Sequence, residues 1–208
     1  MKVPTTNRAL AYLTEAQALN PGAWIDHSLK VGEAARAIAD AHPKLDGNHA
    51  YVMGALHDIG RRAGRTEMRH VLDGYEFLIE EGYDDAARIC LTHSFSLQDV
   101  NAVFGKWDCS EEELDFVRDY LSGIEYSDYD RLIQLCDALA LPSGCCLMEK
   151  RMVDVALRYG VNDYTVPKWK AVLQIKVAFE GAVGCSIYEL LPGVVENTFG
   201  TNKSPTRT

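Results

Sequence analysis

Apolar residues recur along most of the chain at intervals of three and four, the spacing that gathers them on one face of a helix. This pattern predicts an opening helix over 6–19, stopped by Asn20-Pro21-Gly22. A second helix, over 23–41, carries an apolar face through Trp24, Val31, Ala34, Ala35 and Ile38 and ends at His42-Pro43. Further helices are predicted over 48–60, 67–81, 84–94, 111–122, 127–141, 147–159 and 166–182. Their breaks fall at Gly60, Gly82, Gly123, Pro142-Ser143-Gly144, Gly160 and Gly181. Strand signals are weak and scattered, so the expected fold class is all-α.

Some polar residues lie on these apolar faces. His27 precedes Val31, Ala34 and Ile38 by four, seven and eleven residues and shares their buried side. His57-Asp58 interrupt the apolar run Val-Met-Gly-Ala-Leu-His-Asp-Ile-Gly. Asp137 follows Ile133 by four, and His93 follows Ile89 by four. Any one of these could be a hydrogen-bonded core residue. Several on separate helices are costly to bury unless they pair with each other or share a cation. Imidazole and carboxylate together suit a divalent transition ion better than calcium, which takes oxygen ligands. Neighbouring helical side chains diverge by about 100°, but at a helix end beside a glycine the backbone can open and let His57 and Asp58 converge.

His27, then His57-Asp58-Ile59-Gly60, then a distant Asp137 inside Leu-Ile-Gln-Leu-Cys-Asp-Ala-Leu resembles the HD-domain phosphohydrolase superfamily over about residues 22–141. The resemblance implies an all-α HD-domain helical bundle, here with additional C-terminal helices. His70, in an H-x-x-x-G pattern with Gly74, and His93 make the layout most similar to the branch of dinuclear dinucleoside tetraphosphate hydrolases. By that resemblance His27, His57, Asp58 and Asp137 bind a first metal. Asp58, His70 and His93 bind a second, with Asp58 bridging and orienting the attacking water. The chain departs from that branch after Asp137, where Ala138-Leu139-Ala140-Leu141-Pro142 replaces an acidic residue and a proline. It also lacks the paired histidines and Gly-Tyr-Pro signature of the cyclic-di-GMP phosphodiesterases.

The implied function is a metal-dependent hydrolase of a phosphate ester or anhydride in a small nucleotide-like substrate, using a metal-activated water. One or two divalent transition-metal ions are expected, iron or manganese ahead of zinc, cobalt, nickel or magnesium. Arg61, Arg62 and Lys30 are the expected phosphate contacts, within a cationic stretch that also holds Arg65 and Arg69. Tyr126, Tyr129 and Trp169 are read as core aromatics ahead of base-stacking platforms. His42 and His49 are read as surface residues. Two other readings stay open: a catalytically silent HD scaffold that binds a nucleotide for regulation, and a dinuclear metal-dependent oxygenase.

Composition narrows the setting. The 208 residues carry a formal net charge of −9, which disfavours general nucleic-acid binding. There is no apolar run of membrane-spanning length and no signal-peptide pattern at the start, so the expected location is cytoplasmic, with no membrane partner. The six cysteines are then expected to be reduced. One domain over 1–199 is expected, with a core at 22–141, a helical extension at 145–195 serving as a cap or a homodimer element, and a disordered tail at 200–208.

Overall fold

A computed structural model describes residues 1–200; of the tail expected at 200–208, residues 201–208 lie outside the described residues. The fold is all-α. Helices α1 (Thr6–Leu19), α2 (Trp24–Ala41) and α3 (Gly47–Leu56) are followed by a short 3-10 turn, Ile59–Ala63. Then come α4 (His70–Glu80), α5 (Asp84–Thr92), α6 (Glu111–Gly123) and α7 (Asp128–Asp137). A two-residue hairpin, β1 (Ala140–Leu141) with β2 (Gly144–Cys145), pairs Ala140 with Cys145. The chain continues through α8 (Met148–Tyr159), α9 (Thr165–Val183), α10 (Ile187–Leu190) and α11 (Val194–Phe199).

Local chemistry sets several of these boundaries. Thr5 caps α1 and Asp46 caps α3, each side chain accepting a backbone N–H of the first turn. Ser110 with Glu113, and Ser127 with Asp130, form reciprocal capping boxes on α6 and α7. Helix α7 stops at Asp137, short of the expected 141, because Pro142 cannot continue a helix and biases Leu141 towards extended backbone. Helix α4 starts at His70, not 67, and the N–H groups of Glu67 and Arg69 in the segment before it donate to the Asp108 carboxylate. The short α10 and α11 fall beyond the last predicted helix.

Three apolar clusters fill the interior. The largest joins α2, α3 and α7 to the C-terminal helices through Val31, Ile38, Ile133, Met148, Val172 and Phe179. A second lies between α1, α3 and α5 around Tyr12, Leu56 and Ile59, and a third joins α4 and α6 to the segment after α5 around Leu72, Phe95 and Val117. All six cysteines are unpaired. Among the described residues no helix is long and apolar enough to cross a membrane.

Candidate metal centre

Two close backbone approaches bring the histidines together. Where α2 crosses α3, a methyl group on Gly54 would sit 2.8 Å from the Cα of Gly32, so only glycine permits this contact. That crossing sets His27 on α2 beside His57 at the end of α3, with ring centroids 5.3 Å apart. The second approach is at Gly60, where an added methyl would lie 2.0 Å from the carbonyl oxygen of His70 and 2.4 Å from the nitrogen of Gly74. This contact carries His70 up to Asp58. It is also the physical content of both glycines in the sequence pattern.

Asp58 has left helical geometry, with φ −105° and ψ 14°, in the sparsely populated bridge region. Its side chain therefore turns back towards His57, whose Nε2 lies 3.8 Å from Asp58 Oδ2. Helix α7 is fixed against α5 by Gln134, which donates to the carbonyl of Thr92 at 2.9 Å, and by buried Asp130, which accepts from Arg88 and Thr92. Asp137 and His93, one step beyond those anchors, are thus held over the same space.

His27 Nε2 is 2.9 Å from Asp137 Oδ1, and His57 Nε2 is 3.9 Å from the same oxygen. His70 and His93 point Nε2 at the other oxygen of Asp58, at 3.2 and 3.6 Å. Two groups of side chains can each hold a metal ion: His27 with His57 and Asp58, and Asp58 with His70 and His93. In each the ligand atoms lie within 4.8 Å of one another, and Asp58 belongs to both. His27, His57, Asp58, His70 and His93 are all buried, whereas Asp137 is partly open to the pocket.

The donor set fits a divalent ion. His57 donates from Nδ1 to the Gly54 carbonyl at 2.7 Å, His93 to Cys90 at 3.0 Å, and His70 to Glu67. Each such bond fixes the tautomer that leaves Nε2 as a lone pair aimed into the cluster. Asp58 Oδ1 is buried yet makes no well-oriented hydrogen bond. Burial would raise the pKa of Asp58, but the neighbouring Arg61 guanidinium outweighs it and holds the carboxylate well below its usual range. Burial of Asp137 is likewise outweighed, chiefly by its hydrogen bond with His27, and that group is also held low. Burial pushes His57 down and His93 down to about 3, so both rings are neutral at pH 7, as metal ligation requires.

The cluster opens into a pocket of about 630 Å³. Of the expected phosphate contacts only Arg61 lines it, its Nε donating to Asp58 Oδ2 at 2.6 Å. Arg62 and Lys30 do not line it. Arg62 lies over the Phe77 ring with Glu15 3.8 Å away, because the 3-10 turn sends successive side chains to different sides. Lys30 pairs with Glu33 one turn on. Arg65 is exposed, and Arg69 pairs with Asp73 and Glu113. His42 and His49 stand partly exposed and away from the cluster. Tyr126 and Tyr129 are tied to backbone, whereas Trp169 packs on the core and also faces the pocket.

Sequence reasoning missed the pocket residues of the C-terminal helices, chiefly Arg151 and Lys168. A signal for Lys168 was present. It precedes the buried Val172, Ile175 and Phe179 by four, seven and eleven residues, the relation that marks His27. Burial lowers its ammonium pKa to about 8.

No curated protein and no solved structure gives a significant match. The family model described as HD domain matches residues 24–141, more than half of the chain and the whole span from His27 to Asp137. With the paired His–Asp groups in the same span, the chain belongs to the HD domain family.

Proposed function

We propose that this protein is a metal-dependent hydrolase of a phosphate ester or anhydride in a small nucleotide-like substrate. HD domains form a family of metal-dependent phosphohydrolases. The observation that carries the reading is Asp58, shared by both His groups, with one carboxylate oxygen unpartnered at the base of a substrate-sized pocket. His27, His57, Asp58 and Asp137 would hold a first ion and Asp58, His70 and His93 a second, iron or manganese in preference to harder cations. When bound, such ions acidify a water and offset charge on the phosphoryl oxygens.

The remaining work falls to the chain itself. Asp58 orients the attacking water, and its second oxygen is steadied by Arg61. The Arg61 guanidinium, at the pocket wall, offers further N–H groups to a phosphoryl oxygen as a planar fork. The carbonyls of Gly54, Glu67 and Cys90 keep three imidazoles in one tautomer, so the site is arranged before substrate arrives. The likeness to dinucleoside tetraphosphate hydrolases supports the two-ion arrangement and does not name the substrate. The same reading treats residues 1–199 as one unit, because α8 and α9 wall the pocket that the metal cluster floors.

The test is turnover of p-nitrophenyl phosphate, bis-p-nitrophenyl phosphate and a nucleotide panel by protein reconstituted with manganese or iron. Activity that needs the metal and disappears in His57→Ala and Asp58→Ala is expected. Metal-loaded protein that binds nucleotides but turns over none of these substrates would favour the silent scaffold.

A further inference from the structure

The pocket has a second wall, built outside the span that defines the family, and its chemistry is cationic. Arg151 on α8 and Lys168 on α9 both line it. Neither forms an ion pair among the described residues. Lys168 donates to two backbone carbonyls, Ser94 at 3.3 Å and Ala102 at 2.7 Å, and its Nζ lies 4.8 Å from the centroid of the Phe104 ring, so its third hydrogen has no hydrogen-bond acceptor among the described residues. Arg151 donates from Nε to the Ala140 carbonyl at 3.1 Å, while its Nη1 is buried with no partner. Asp154, the acid on the same stretch of α8, pairs with neither cation.

Buried charges and polar atoms without partners are costly, so their distribution is informative. Among the described residues seven buried side-chain atoms make no hydrogen bond, and four of them belong to residues of this one pocket: Asp58, Thr66, Ser96 and Arg151. Asp58 has the metal cluster to answer for it. The other three are polar atoms without a partner in residues of the same lining. The two cations are held in place by backbone carbonyls, and neither makes a direct ion pair with a carboxylate among the described residues. A guanidinium and an ammonium arranged in this way suit a phosphate group. The volume of about 630 Å³ lies in the middle of the range for pockets that enclose a whole small ligand, more than a single phosphoryl group requires. Trp169 and Phe104 add flat apolar surface to the same lining.

We infer that Arg151 and Lys168 form a second anion subsite, which holds a phosphate of the substrate other than the one presented to the metal cluster. The substrate class is therefore a nucleotide-like molecule with two phosphate groups, in preference to a simple monoester. This rests on the pocket being the substrate site of the proposed hydrolase.

The test is calorimetric titration of manganese-loaded protein with adenosine 5′-monophosphate, adenosine 5′-diphosphate and adenosine 3′,5′-bisphosphate. The last two add a phosphate adjacent to the first or remote from it. At least one bisphosphorylated probe is expected to bind about tenfold or more tighter than the monophosphate. That ratio should collapse to within about threefold in Arg151→Met and in Lys168→Met, and be partly kept in Arg151→Lys and Lys168→Arg. A merely structural role would weaken all three probes together and leave the ratio unmoved, so partial misfolding does not imitate the result. Equal affinity for all three probes, or a preference that survives both methionine substitutions, would overturn the subsite. The readout is binding, so protein with the expected preference but no turnover would sink the hydrolase reading and leave the subsite standing.

Discussion

The two walls of the pocket are built on different principles. The wall from α2–α7 places its ionisable side chains by backbone-to-backbone contact, at Gly32 with Gly54 and at Gly60 with His70 and Gly74. Three of its histidines, His57, His70 and His93, are each fixed by an Nδ1 bond to a backbone carbonyl, and His27 by Asp137. The wall from α8 and α9 hangs two long cationic side chains on backbone carbonyls, from helices that keep much apolar surface in solvent, Leu157 and Val177 being 81% and 67% exposed. The first arrangement suits chemistry, where small displacements are expensive. The second suits recognition, where side chains adjust to what they hold. One pocket thus joins a rigid reactive floor to a more adaptable wall.

The largest effect that would sharpen this contrast is at the floor. Asp58→Ala should lower kcat/KM for a phosphoester on the order of 10³-fold, since it removes the shared carboxylate of both His groups. Activity within tenfold of the unaltered protein would remove Asp58 from its central place.

A matched pair of glycine substitutions tests rigidity directly. Gly60→Ala puts a methyl 2.0 Å from a backbone oxygen and should destabilise the fold by about 2 kcal/mol, roughly 4–8 °C in Tm. Gly181→Ala, on α9 with nothing within 4 Å of the new methyl, should instead stabilise by about 0.5–1 kcal/mol. The same change then has opposite signs in the two regions; equal effects in a melting experiment would erase the distinction.

A smaller effect concerns pH. The Lys168 ammonium, lowered to about 8 by burial, loses its charge as pH rises through that value, and Asp137 is the charge that opposes the loss. The preference for a second phosphate should therefore decline by a few-fold between about pH 7 and 9. In Lys168→Arg it should stay flat over that range. A preference in the unaltered protein that does not change with pH would exclude Lys168 as its source.

How much of this was legible beforehand follows the same division. The helical span and the candidates His27, His93 and Asp137 could be read from polar residues at buried periodicities, because each sits on a helix face whose other members are apolar, whereas His70 entered only through the H-x-x-x-G resemblance. Asp58 was readable through Gly60, which marks where the helix must open. The hairpin at Ala140–Cys145 was missed because the apolar run into Leu141 has helical spacing, and the proline that ends it acts back on the preceding residues. Arg62 and Lys30 were expected from nearness in sequence to His57 and His27, whereas the 3-10 turn sets Arg62 over Phe77 and Lys30 pairs with Glu33, so neither lines the pocket. Lys168 satisfied the rule that found His27, yet a lysine on an apolar face reads first as a long chain reaching for solvent.

The most direct test of the central claim is the metal content of the protein. Plasma mass spectrometry on protein purified without chelator or nickel resin should find about two equivalents of a transition metal. His57→Ala/Asp58→Ala should contain none. One equivalent would confine binding to a single His group and leave the remaining histidines as substrate contacts. No metal in the unaltered protein, even after reconstitution with iron or manganese, would contradict the account at its base.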